Sequence, residues 1–266
     1  ALYSPWMSNQ GAAMSNGRPN SVNNTGPLRR QLAGLGVRAA GAPLPCFGER
    51  LARLFDLSDT VALDAANVSS RDGHFSADDK ATERLRAELE KLRQSQREAI
   101  EASVTAERVG TRNGLPEPQA GPSPAQPPDF EPYRRFYQGK QRQMAAAVPS
   151  LRLKARGALT DHSPALARLA RIDAVLDATL TGYARKGFGA VPDVLEKRFL
   201  ALWPDRQHSL LSDEPGHEPG DWMKEGAWLH RFCQEMKTML LAELDARLAP
   251  VQGLLKALHN DPQGPQ

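Results

Sequence analysis

Apolar residues recur three and four apart along this chain far more often than they alternate, which is the period of helices and not of strands. Leu28, Leu32 and Leu35 open a first block. After Gly41–Pro45, the residues Phe47, Leu51, Leu54 and Phe55 repeat the spacing, and Ser58 offers an N-cap to a third short helix holding Val61 and Leu63. Residues 27–68 thus read as an N-terminal helical block whose short members depend on one another. A polar break at Ser69–Phe75 follows. Ser76 with Asp79 then matches a capping box ahead of a long charged helix over 76–109. Leu85, Leu89 and Leu92 form one narrow stripe, which decays through Gln96, Ala99 and Ser103 with Ile100 out of step. A coiled coil between chains needs about three or four good heptads, and this stripe supplies roughly half of that. Packing against the rest of the same chain, or a solvated helix, is therefore favoured over pairing with another chain.

The second apolar stretch runs over 130–260. Phe130, Tyr133, Phe136 and Tyr137 open it, Met144 and Val148 continue the face, and Leu151, Ala155 and Leu159 extend it beyond Pro149, which starts a new turn or kinks the helix. Ser163-Pro164 is a helix start, an N-cap followed by proline at the first helical position. Leu166, Leu169, Ile172, Leu176 and Leu180 mark the helix that follows, ending near Gly187–Gly189. Val191-Pro192 opens another, with Val194, Leu195, Phe199 and Leu202 as its face. Asp221 is positioned to cap the last helix, whose face is Trp228, Leu229, Phe232, Met236, Leu240, Leu244 and Leu248. Pro250 interrupts or kinks that helix, and Val251, Leu254, Leu255 and Leu258 keep the period beyond it.

Composition agrees with the pattern. There are 33 Leu and 37 Ala against 2 Ile and 11 Val, a balance that favours helices and argues against sandwiches and parallel-sheet nucleotide folds. The fold expected is all-α: a helical bundle with a long charged helix, a Pro-rich linker and a disordered tail. The tail is 1–26, rich in Ser, Asn and Gly with little to bury. The linker is 110–129, where Pro116, Pro118, Pro122, Pro124, Pro127 and Pro128 crowd together with three glycines. No run approaches the ~18 apolar residues of a membrane span, and Ala1–Pro27 lacks the basic cluster and apolar core of a secretory signal. Cys46 and Cys233 are too few for a disulfide scaffold and read as buried thiols of a reducing cytoplasm. Arg outnumbers Lys by 25 to 9, which with abundant Ala, Gly, Pro and Leu suggests the GC-rich codons of a bacterium.

The net charge of +3 conceals an asymmetry. From Pro132 to Thr160 there are seven cations and no acid: Arg134, Arg135, Lys140, Arg142, Arg152, Lys154 and Arg156. From Pro204 to Leu248 there are nine acids and five cations. On a helix Arg135 and Arg142 share a face, as do Arg152 and Arg156, and Tyr133, Phe136 and Tyr137 could stack on bases. The same cations could instead face water or the acidic C-terminal part of the chain, which is the favoured reading, because no recognition-helix, zinc-finger or RNA-binding signature accompanies them.

Other chemistry finds little support. His208, Asp213, Glu214, His217 and Glu218 are ligand types without helical spacing, and His230 with Cys233 lacks two further ligands, so no metal and no cofactor are expected. There is no nucleophile elbow, Walker loop or dinucleotide fingerprint. Glu243 and Asp245 point to different helix faces, and Glu243 four before Arg247 reads as an intrahelical ion pair.

The stretch Leu240–Leu258, the segment Tyr133–Leu159 with its Tyr137, Gln141-Arg142-Gln143-Met144 and Leu151-Arg152 steps, and the Leu166–Asp177 helix resemble a bacterial family, domain of unknown function 3348. Phe47–Leu51 and Ser58–Leu63 resemble its opening block. The long Ser/Asn-rich start and Pro149 depart from it. The family carries no established activity or catalytic residues. Its members' genes lie beside those for inner-membrane motor-like and OmpA-like envelope proteins, which implies a cytoplasmic accessory to an envelope assembly. The function expected is a non-catalytic interaction or assembly protein with a protein partner. A nucleic-acid-associated protein using the 134–156 face is the alternative, and an enzyme comes third. The oligomeric state stays open.

Overall fold

A computed structural model describes residues 26–35, 53–68, 75, 78–121, 126–203 and 219–261. Among these residues every regular element is helical and no strand occurs. The α-helices are α1 (Pro27–Gly34), α2 (Leu57–Val68), α3 (Asp79–Ser103), α4 (Glu131–His162), α5 (Pro164–Gly189), α6 (Val191–Leu202) and α7 (Trp228–Asn260). Short 3₁₀ turns lie at Ala106–Arg108 and Pro219–Met223.

The bundle is organised around α7, which packs against α1, α3, α4, α5 and α6, while α2 rides on α5. The face foreseen for α7 is its buried face: Leu229, Phe232, Met236, Leu240, Leu244 and Leu248 are all core residues. α1 places Leu28 and Leu32 on the same core. Among the described residues, then, α1 and α2 do not form a bundle of their own but dock on the larger one. The tail over 1–26, but for Gly26, and the Phe47–Leu51 segment lie outside the described residues.

Several helix ends differ from their predicted caps. α2 starts two residues early, because Asp56 and Asp59 make the reciprocal capping pair: Asp59 N–H donates to Asp56 Oδ1 at 2.8 Å and Asp56 N–H to Asp59 Oδ2 at 3.2 Å. Ser58 is already inside the helix. α3 is capped by Asp78, which accepts from Ala81 N–H at 3.0 Å; Ser76 lies outside the described residues. Asp221 does not cap α7. It sits in the 3₁₀ turn Pro219–Met223, and Gly226 at φ 82° separates that turn from the helix start at Trp228. Ser163 does cap α5, accepting from Leu166 N–H at 3.3 Å, and its hydroxyl donates to Asp261 at 2.6 Å, tying the end of α7 to the start of α5.

Two further differences concern continuity. α4 and α7 run unbroken through Pro149 and Pro250. Each proline costs one backbone bond, but apolar residues buried on both sides of it, Met144 and Leu151 about Pro149 and Leu248 and Val251 about Pro250, hold the helix in line. The described part of the proline segment is not a free spacer either. Leu115 is fully buried, donates to Ser103 O at 3.0 Å and accepts from Gly110 N–H at 2.8 Å. Gly110 takes φ 78°, and a Cβ on Gly114 would collide with Arg108 O, so both glycines are required by this turn. Ile100, out of step with the leucine stripe, is buried because α3 meets α4 as well as α7.

Candidate functional site

An open apolar concavity lies between α4, α5 and α7. It is a groove of about 350 Å³ lined by Met144, Ala145, Val148, Pro149 and Arg152 of α4, by Leu176, Asp177, Leu180, Thr181, Ala184 and Phe188 of α5, and by Ala246, Arg247 and Pro250 of α7. Leu176, Leu180, Ala184 and Phe188 are spaced four apart, so they form one ridge about 18 Å long, inclined to the axis of α5. The groove opens at the level of the two internal prolines.

Beneath it lies a buried polar network. Glu243 of α7 is fully enclosed. One carboxylate oxygen accepts from the Tyr137 hydroxyl and from Gln141 Nε2, both at 2.9 Å. The other accepts from Arg247 Nε and Nη2 at 2.9 and 2.6 Å. Gln141 also donates to the Phe188 carbonyl at 2.8 Å, and the Arg247 guanidinium stacks 4.0 Å over the Phe188 ring. The intrahelical pair foreseen for Glu243 and Arg247 is present, and Tyr137 and Gln141 of α4 complete it. Burial first, and the neighbouring Glu243 charge second, push the Tyr137 hydroxyl well above its usual range. It stays protonated and donates.

The cations of 134–156 are not one surface. Arg152 and Arg156 face α5, where they clamp Asp173 and Asp177 in a four-membered ion cluster with distances from 2.5 to 2.8 Å. Burial alone would raise the Asp173 carboxyl, but hydrogen bonds from both arginines bring it below its usual value. Arg134 reaches α6, pairing with Asp193 at 2.6 Å and Glu196 at 2.5 Å, and its hydrogen bond to Asp193 leads in raising its pKa. Arg135 pairs with Glu131 on its own helix. Lys140 is buried, donates to Ala99 O at 3.3 Å and is lowered by desolvation and then by Arg108. Lys154 pairs with Glu88 of α3 at 2.5 Å. Arg142 is exposed and makes no ion pair among the described residues.

Intrachain pairing of these cations was the favoured reading, but their partners are not the acidic C-terminal part. They lie on α3, α4, α5 and α6. The acids of α7 take other arginines: Asp245 pairs with Arg93 of α3, and Glu235 with Arg198 of α6, each at 2.7 Å. Only Arg152 of the seven lines the groove. The groove itself was missed, although Tyr137, Gln141 and Arg152 had been singled out by the resemblance.

Cys233 is buried, and desolvation pushes its thiol up to about 12. No group of three His, Cys, Asp or Glu among the described residues is placed to hold a metal. His208, Asp213, Glu214, His217 and Glu218 lie outside them. No described helix is long and apolar enough to cross a membrane.

Fold and groove together define an all-helical bundle with an apolar cleft at its waist, over a buried ion-pair network. The chain belongs to the family described as protein of unknown function DUF3348, which matches residues 14–260. No curated protein and no solved structure matches it.

Proposed function

We propose that this is a non-catalytic interaction protein of the bacterial cytoplasm, and that the groove between α4, α5 and α7 is where a partner protein docks. One observation carries the reading. Every polar side chain that lines the groove is already engaged within the chain: Arg152 with Asp173 and Asp177, Thr181 with the Asp177 carbonyl, and Arg247 with Glu243. What the groove offers an incoming group is shape and apolar surface, which is the material of a binding site. A catalytic site presents acids, bases or nucleophiles poised at the reacting centre.

Affinity capture from the native bacterium with the wild-type chain and with Ala184→Arg tests this. Ala184 is exposed on α5, so arginine is accommodated in the helix while it fills the groove. The wild type should retain a stoichiometric protein partner and the variant should lose it. Envelope-complex proteins are the first candidates. The same capture by both chains would overturn the assignment of the groove.

A second reading, nucleic-acid association, is favoured by exposed Arg142 and Arg135 alone. It predicts salt-sensitive retention on nucleic acid that weakens in Arg135→Ala plus Arg142→Ala. It fails if the wild type shows no such retention.

A further inference from the structure

The groove lining holds each internal proline together with the residue four before it: Ala145 with Pro149 on α4, and Ala246 with Pro250 on α7. Proline has no N–H, so the Ala145 and Ala246 carbonyls lack the donor that a helix supplies to such carbonyls. On both walls the gap in the backbone ladder falls at the groove. A carbonyl beside apolar surface is satisfied only by a donor arriving from outside, whether water or a bound group.

The rest of the lining narrows the kind of donor. Asp177 is the one acid there, and two arginines already clamp it. Arg152 and Arg247 are likewise held by acids of the same chain. An ammonium or guanidinium would therefore give up its hydration and find no free carboxylate in return. Met144, Val148, Leu176 and Leu180 ask for an apolar body. The ligand group that satisfies both demands is neutral, flat or aliphatic in bulk, and carries an N–H at its edge.

We propose that the groove takes a tryptophan side chain of a partner protein, its ring against Met144, Val148, Leu176 and Leu180 and its indole N–H donating to the Ala145 or Ala246 carbonyl. The proposal rests on the protein-docking reading and names the partner's anchor. Indole supplies a large apolar contact with one polar edge, the property that makes tryptophan frequent at the centre of interfaces.

The test uses two probes, N-acetyltryptophanamide and its 1-methylindole analogue, which differ only at the ring N–H. Each is titrated into the full chain and followed by the methyl resonances of Leu176, Leu180 and Ala184. The wild type should bind the first saturably and the second about three- to tenfold more weakly, the value of one hydrogen bond. In Pro149→Ala plus Pro250→Ala each carbonyl regains its helical donor, and the two probes should bind alike. Circular dichroism reports whether this variant stays folded, and the wild-type comparison stands even if it does not. Equal binding of both probes by the wild type, a preference that survives in the folded variant, or no saturable shift at these methyls would each overturn the proposal. None of these results removes the docking reading, which stands or falls on the Ala184→Arg capture.

Discussion

On the N-terminal side of Pro149 in α4 and of Pro250 in α7, the core contains Phe130, Tyr133, Tyr137, Phe199, Trp203, Trp222 and Phe232. Beyond the two prolines it holds only leucines, alanines and Val251. The rings of the first region meet edge to face or tilted. Phe199 lies 5.1 Å from Phe232 and 5.2 Å from Trp228, and Phe130 lies 5.4 Å from Phe199. The second region depends on close helix approach through Ala155, Ala167 and Ala170, none more than 3% exposed. Its charges stand at the rim, as the Arg152–Arg156–Asp173–Asp177 cluster. In the first region the charge is at the centre, at Glu243. The difference teaches where the groove comes from. It opens at the seam, where large side chains give way to small ones and both through-running helices lose a backbone bond.

Four substitutions sharpen the contrast. The largest effect belongs to the buried charge. Glu243→Ala strands Arg247 and leaves Tyr137 and Gln141 without their shared acceptor, at a cost of about 3–5 kcal/mol, read from denaturant unfolding. Next, Phe199→Ala should cost about 4 kcal/mol and Leu255→Ala about 3 kcal/mol. The order reflects the larger void left among rings that cannot collapse around it. Equal or inverted values would remove the distinction between the two regions.

The smallest effect is the pH dependence that the aliphatic region draws from Asp173. Asp173 has its carboxyl held below the usual value in the folded chain. The stability it contributes is therefore present above the ordinary aspartate range, near pH 4, and is lost as pH falls through the lowered folded value. Asp173→Asn should flatten that acid limb by about 1 kcal/mol in unfolding measured from pH 6 to pH 3. An unchanged acid limb would show that Arg152 and Arg156 do not depress this carboxyl.

The helices were legible because Leu and Ala repeat at three and four, and because Ser163-Pro164 is a local start signal. The buried face of α7 could be read from Trp228 to Leu258 without any partner in view. What spacing along one helix does not carry is which helix lies opposite. The basic run on α4 was visible, but Asp173, Asp177, Asp193 and Glu196 belong to α5 and α6, whose placement is a tertiary fact. Glu243 looked like half of an intrahelical ion pair, which it is; its burial follows from α4 covering it with Tyr137 and Gln141. Pro149 and Pro250 suggested breaks or kinks, since local propensity cannot weigh the apolar residues buried on either side. The groove is the product of those two misreadings together. It exists because both helices continue and because their prolines fall at one level.

The central claim is that α4 and α7 carry one cooperative bundle through the seam. Native-state hydrogen exchange on the full chain tests it most directly. Amides of α4 and α7 on both sides of Pro149 and Pro250 should share one opening free energy, equal to that of global unfolding. A separate, lower plateau for residues 151–162 and 251–260 would contradict it, by showing that the aliphatic region opens independently of the aromatic one.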